Sequence, residues 1–130
     1  MYLDANFFII GVFNFEDKGK KARKMVETIK KGKKAVTSSL ALDEVMWVLS
    51  KNKKKRYIRK VIESIYSMEN LEVKEVSSLI PLRALHFMET YNLKPRDAFH
   101  ATIMEYFGIN EIVTDDHDFD KIKSIKRIKI

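Results

Sequence analysis

The stretch 111–119, Glu111-Ile112-Val113-Thr114-Asp115-Asp116-His117-Asp118-Phe119, decides how this chain folds. Ile112, Val113 and Thr114 are β-branched and favour a strand. That strand runs straight into Asp115, Asp116 and Asp118, residues suited to a turn. The start of the chain repeats the arrangement, with Tyr2-Leu3 entering Asp4-Ala5-Asn6. Two more segments, Leu42-Asp43-Glu44-Val45 and Pro95-Arg96-Asp97-Ala98, each set a carboxylate near the start of a helix.

Between these segments strands alternate with helices. A strand over 1–4 precedes Ala5 to Val12, which suits either helix or loop. A helix from Asp17 to about Lys31 carries Ala22, Met25, Val26 and Ile29 at helical spacing, and Gly32 ends it. Ala35-Val36-Thr37 reads as a second strand, and Ser38 or Ser39 caps the helix bearing Glu44. A helix over 54–68 follows, then a strand over 71–76 with alternating polarity. Ser77 or Ser78 opens a helix to Tyr91, where Asn92 stops it. Pro95 sits in the first turn of another helix, which Gly108 terminates, and 127–130 is a last, edge strand. The alternation predicts one α/β domain over 1–130, with three α/β/α layers and a parallel central sheet of four to five strands.

Composition narrows the chemistry. The chain has no cysteine, which excludes disulfides, thiolate zinc sites and cysteine nucleophiles and fits a reducing cytoplasm. Its longest apolar runs, such as Phe7-Phe8-Ile9-Ile10, are too short to span a bilayer, and no signal peptide is apparent. A net charge of +7 suits a polyanionic partner, with lysines clustered at 18–24, 30–34, 51–60 and 121–129. Such runs also occur as plain solvated helix faces. No glycine-rich phosphate loop, Ser-His-Asp set or dinucleotide fingerprint is present.

In open parallel sheets, ligands collect beyond the carboxyl ends of the strands, where Asp4 and Asp116 fall. Asp97 occupies a helix first turn, whose dipole favours an anion. Each acid alone has a plainer reading. Asp4 suits a cap for a helix starting at Ala5, Asp97 an ordinary first-turn carboxylate, and Asp115, Asp116 and Asp118 a turn cluster. Together they make a crowded anionic cleft, and such acids ionise together only around a cation.

In order, spacing and context these four segments resemble the PIN domains, in particular the small VapC-type toxins, over essentially the whole chain. The motifs are Leu3-Asp4-Ala5-Asn6, Ser39-Leu40-Ala41-Leu42-Asp43-Glu44-Val45, Arg96-Asp97-Ala98-Phe99-His100-Ala101 and Thr114-Asp115-Asp116-His117-Asp118-Phe119. By position, the resemblance implies that Asp4, Glu44, Asp97 and Asp116 are catalytic, metal-binding acids, with Asp118 an auxiliary acid. It gives Asn6 and Thr114 the part of small polar residues that orient carboxylates or bind phosphate or water. It favours Glu44 over Asp43, which projects about 100° away around the helix. Oxygen donors without soft ligands suit one or two Mg²⁺ or Mn²⁺ ions. The implied activity is endonucleolytic hydrolysis of single-stranded RNA to 5′-phosphate and 3′-hydroxyl ends, as the toxin of a toxin–antitoxin pair. Target RNA (tRNA or rRNA), a cognate antitoxin and a homodimer are the implied partners. The rival expectations are a PIN-fold RNA-binding or scaffold module without catalysis, and a nuclease of RNA maturation.

The remaining expectations concern single residues. Lys53, Lys54, Lys55 and Arg56, within the 51–59 cluster, are the candidate substrate-phosphate contacts, together with the 18–24 cluster. His100, one turn beyond Asp97, reads as a packed or water-bonded helix residue rather than a ligand, and His117 as a possible substrate contact. His86 has no acidic motif near it. Phe7-Phe8-Ile9-Ile10 with Val12 and Phe13, and Trp47 with Met46 and Val48, read as core or as partner-facing patches.

Overall fold

The strand entering the acidic turn and the strand opening the chain lie side by side. In the computed structural model, which describes residues 1–130, β1 (Tyr2–Leu3) pairs with β4 (Glu111–Val113) in the register Tyr2 to Ile112 and Leu3 to Val113. β2 (Ala35–Ser38) and β3 (Leu71–Lys74) extend the sheet on one side, and β5 (Lys126–Ile128) on the other. All pairs are parallel and the order is β3-β2-β1-β4-β5. The chain therefore builds outward from β1 through β2 to β3, then returns to β4 on the opposite flank. β1 and β4 bound the point where strand order reverses, the crevice where open α/β sheets bind ligands.

Six helices cover the sheet: α1 (Ala5–Phe13), α2 (Asp17–Lys30), α3 (Ser39–Lys51), α4 (Ile58–Tyr66), α5 (Ile80–Tyr91) and α6 (Pro95–Tyr106). Side chains of a strand alternate between faces, so the short β1 and β4 each serve two cores. Leu3 and Val113 pack with Phe7, Phe8, Val45 and Leu49 under α1 to α4. Tyr2 and Ile112 pack with Ala84, Ala101, Met104 and Phe119 under α5 and α6. The three-layer expectation holds, with five strands.

Boundaries shift where backbone chemistry overrides periodicity. Residues 5–13 are helix, because the Asp4 carboxylate caps them by accepting the Ala5 N–H at 2.8 Å. The helix expected from 54 starts at Ile58, after Lys53 takes φ +57° and Lys55–Tyr57 form a 3₁₀ turn. β3 stops at Lys74, and α5 starts at Ile80, after Ser77 accepts the Leu79 N–H in a preceding turn. The last strand lies at 126–128 and is the expected edge strand.

The corner between α1 and α2 is tightly built. Asn14 Oδ1 accepts the N–H groups of Glu16 and Gly19, while Arg23 donates to the carbonyls of Gly11 and Asn14. A Cβ at Gly19 would lie 1.7 Å from the Asn14 carbonyl oxygen, which is backbone and cannot swing aside. Gly19→Ala is therefore expected to destabilise the protein by about 3 kcal/mol, the upper part of the usual overpacking range. Chemical denaturation checks this, and a change within about 0.5 kcal/mol, the level of a neutral surface substitution, would contradict it.

Candidate metal centre

Asp4 leaves β1 at the strand-order reversal and is 5% exposed. Its Oδ1 caps α1, and its Oδ2 accepts the Thr114 hydroxyl at 2.8 Å. Thr114, just beyond β4, also accepts the Asp116 N–H on its Oγ1 at 3.1 Å. One threonine thus ties the acid after β1 to the acidic turn after β4. Asp116 in turn accepts the Asp118 N–H at 2.9 Å, which opens a 3₁₀ turn over His117–Lys121.

Glu44 projects from α3 toward the same crevice, whereas its neighbour Asp43 is exposed to solvent. Glu44 Oε1 accepts from His100 Nε2 at 2.7 Å and lies 3.5 Å from Arg96 Nε. His100 is buried on α6, 3.8 Å from Asp4 Oδ1, and its Nδ1 meets the Tyr2 hydroxyl at 2.7 Å. Asp97 sits half-buried in the first turn of α6.

The site residues form two groups. Asp4, Glu44 and His100 offer ligand atoms within 4.8 Å of one another, and so do Asp97, Asp116 and Asp118. Asp97 joins them electrostatically. Burial, then the charges of Asp116, Asp118 and Asp4, push its carboxyl up to about 6, against a smaller opposing effect of His100. Asp118 is held below the ordinary carboxylate range by its hydrogen bond to Lys121. The site therefore carries a strained charge at Asp97 that a cation relieves.

The donor set fits a hard divalent ion. Both nitrogens of His100 are engaged, so the atoms left to face a ligand are carboxylate oxygens, each with lone pairs beyond the bonds described. Such donors suit Mg²⁺ or Mn²⁺ and not a softer metal.

Not every expected residue joins this site. Asn6 is exposed in the first turn of α1, and its side chain makes no hydrogen bond. His117 is exposed and meets Arg127 and Asp120. Lys53, Lys54 and Arg56 line a separate groove of about 1320 Å³ with Phe13, Val26 and Ile65, and Lys55 is exposed beside it. Phe7 and Phe8 are core, whereas Val12 is 45% exposed on that groove. Trp47 and Met46 are exposed on α3, with Lys51 Nζ 4.8 Å from the indole ring. Sequence reasoning missed Tyr2, Ser38 and Arg96, whose polar atoms support or flank the acids. The only signals were the nearness of Tyr2 to Asp4, the capping position of Ser38 and the adjacency of Arg96 to Asp97.

Residues 1–125 match the PIN domain, and the chain belongs to that family. Among solved structures the fold is similar to VapC20 of Mycobacterium tuberculosis, described as a sarcin-ricin loop cleaving toxin. The TM-score is 0.73 at 16% identity, covering 92% of this chain and 91% of that one. It is also similar to VapBC2 of Rickettsia felis bound to a promoter DNA fragment, with TM-score 0.76, 20% identity and coverage of 98% and 96%. DNA-bound VapBC of Salmonella typhimurium gives 0.74, 19%, 98% and 96%. No curated protein matches in sequence. No helix is long and apolar enough to cross a membrane.

Proposed function

We propose that this protein is a Mg²⁺- or Mn²⁺-dependent endoribonuclease that hydrolyses single-stranded RNA and acts as the toxin of a toxin–antitoxin pair. The observation that carries the reading is the pair of adjoining acidic groups at the strand-order reversal, linked through Thr114. A binding module gains nothing from a self-repelling pocket of this kind. Asp4, Glu44, Asp97 and Asp116 hold the cation, and Asp118 supports them. When bound, the cation stabilises charge developing on the phosphate and activates water. Thr114 and the Ala5 N–H fix the Asp4 carboxylate, and the exposed guanidinium of Arg96 flanks the site beside Glu44, where an RNA phosphate would approach. Since water is the nucleophile, the RNA 2′-hydroxyl takes no part, and the products carry 5′-phosphate and 3′-hydroxyl ends.

The groove between α1, α2 and α4 supports the antitoxin part of the reading. Phe7, Phe8, Val26 and Ile65 line it, and Lys24, Lys30, Lys53, Lys54, Arg56 and Lys60 outnumber Glu27 and Glu69 among its charged residues. That combination accepts an amphipathic segment with acidic flanks. Val12→Asp places a charge on the exposed part of this groove. It is expected to weaken capture of a co-expressed antitoxin at least about tenfold, in line with a central interface contact, and to leave the acids untouched; unchanged capture would contradict the assignment. Lys53, Lys54, Lys55 and Arg56 remain the proposed contacts for RNA phosphates when the groove is free. Leu79 just before α5, Leu82 and Leu85 on it, and Tyr106 on α6 are exposed apolar side chains that suit a homodimer contact.

The test is incubation of total cellular RNA with the protein, with and without Mg²⁺ or Mn²⁺, and mapping of product ends. Discrete metal-dependent cuts with 5′-phosphate ends support the reading. Intact RNA at saturating metal favours the binding-module alternative, and cuts confined to precursor RNAs favour a maturation nuclease.

A further inference from the structure

A directed chain of hydrogen bonds runs behind the acidic site, from a strand end to the face of Glu44. Ser38 Oγ, at the end of β2, lies 2.7 Å from the Tyr2 hydroxyl, which lies 2.7 Å from His100 Nδ1. His100 Nε2 lies 2.7 Å from Glu44 Oε1. Ser38 and Tyr2 are fully buried and His100 is 2% exposed, so water does not supply missing partners.

Counting protons fixes the direction. An ionised carboxylate only accepts, so Nε2 must carry a hydrogen and donate it to Glu44. With Nδ1 bare, Tyr2 donates to it and receives the Ser38 proton. Ser38 Oγ also accepts the Ala41 N–H at 3.2 Å, so every donor in the chain has an acceptor. The opposite direction leaves the Ser38 hydroxyl donating to nothing in a dry interior. The alternative neutral tautomer sets a bare Nε2 against the carboxylate oxygen. Both are disfavoured.

We propose that His100 is a positioning residue of the metal site. Held by Tyr2 and Ser38, it donates Nε2–H to Glu44 Oε1 and fixes the carboxylate so that Oε2 is presented to the divalent cation. No hydrogen bond engages Oε2, and the other group at Oε1 is the exposed Arg96, a longer contact on a flexible side chain. The inference rests on the proposed metal-dependent nuclease reading and gives it a supporting layer.

The test compares Mn²⁺ binding by calorimetry in wild type, His100→Gln and His100→Leu, together with imidazole ¹⁵N shifts of the wild type. Glutamine restores an N–H near the Nε2 position, while leucine fills the space without a donor. Removing a partner of a metal ligand costs about 10–100-fold in affinity, so His100→Leu is expected to lose that much and His100→Gln to stay within about threefold. Wild-type His100 is expected to carry a hydrogen on Nε2. Equal affinity in His100→Leu, an equal loss in both variants, or an Nε2 without hydrogen would each overturn the proposal. If His100→Leu fails to fold, the glutamine variant and the tautomer still decide it. Absence of Mn²⁺ binding by wild type would instead contradict the metal reading, and the tautomer would still decide the direction of the chain.

Discussion

Asp97→Asn is expected to lower kcat/KM for RNA cleavage at least about a hundredfold, the scale of losing one electrostatic contributor to a transition state. The substitution keeps the shape of the side chain and its place in the first turn of α6, but removes a charged oxygen from the group with Asp116 and Asp118. The same change should stabilise the metal-free fold. Asp97 has its carboxyl pushed up to about 6 from an ordinary 3.8, so between those values the folded chain holds a proton that the unfolded chain has released. Stability then falls as pH rises through that window, and the loss is complete above it. A fully shielded shift of this size is about 3 kcal/mol, and screening at a half-exposed site reduces it to about 1 kcal/mol. Metal-free Asp97→Asn should therefore melt about 4 °C above wild type at pH 7, with the difference vanishing below about pH 4. A variant that cleaves RNA at the wild-type rate, or one that melts lower at neutral pH, would contradict this account of the site.

Addition of Mn²⁺ is the second large effect. A ligand that binds only the folded state at a hundred times its dissociation constant contributes about 2.7 kcal/mol. For a chain of 130 residues that is a rise of about 10 °C in the melting temperature. Chelation with EDTA should reverse both this rise and RNA cleavage. The gain should shrink in Asp4→Asn, because Asp4 is the acid that Thr114 ties to the acidic turn. It should survive in Lys53→Ala, whose side chain lines the separate groove. Equal stabilisation of all three proteins would point to non-specific ion binding.

How far this could be read from sequence depended on distance along the chain. The carboxylates were legible because each follows or opens a local element: Asp4 after Leu3, Asp116 after Thr114, and Asp97 behind Pro95. Asp4 also shows that a capping role and a place in the site are compatible, since Oδ1 serves α1 while the residue stays at the crevice. His100 was harder. Its setting depends on Tyr2, 98 positions away, and on Glu44, 56 positions away, and no local pattern encodes either. The lysines illustrate the same limit. Their charge was plain, yet only the packing of α1, α2 and α4 puts Lys54 and Arg56 around an apolar groove. The late start of α4 reflects backbone at Lys53 that hydrophobic spacing does not report.

The most direct test is anomalous diffraction from crystals grown with Mn²⁺. A strong peak is expected within coordination distance of the carboxylates of Asp4, Glu44, Asp97 or Asp116, with His100 still bonded to Glu44 and not to the ion. A map without density there, at a Mn²⁺ concentration well above the calorimetric dissociation constant, would contradict it.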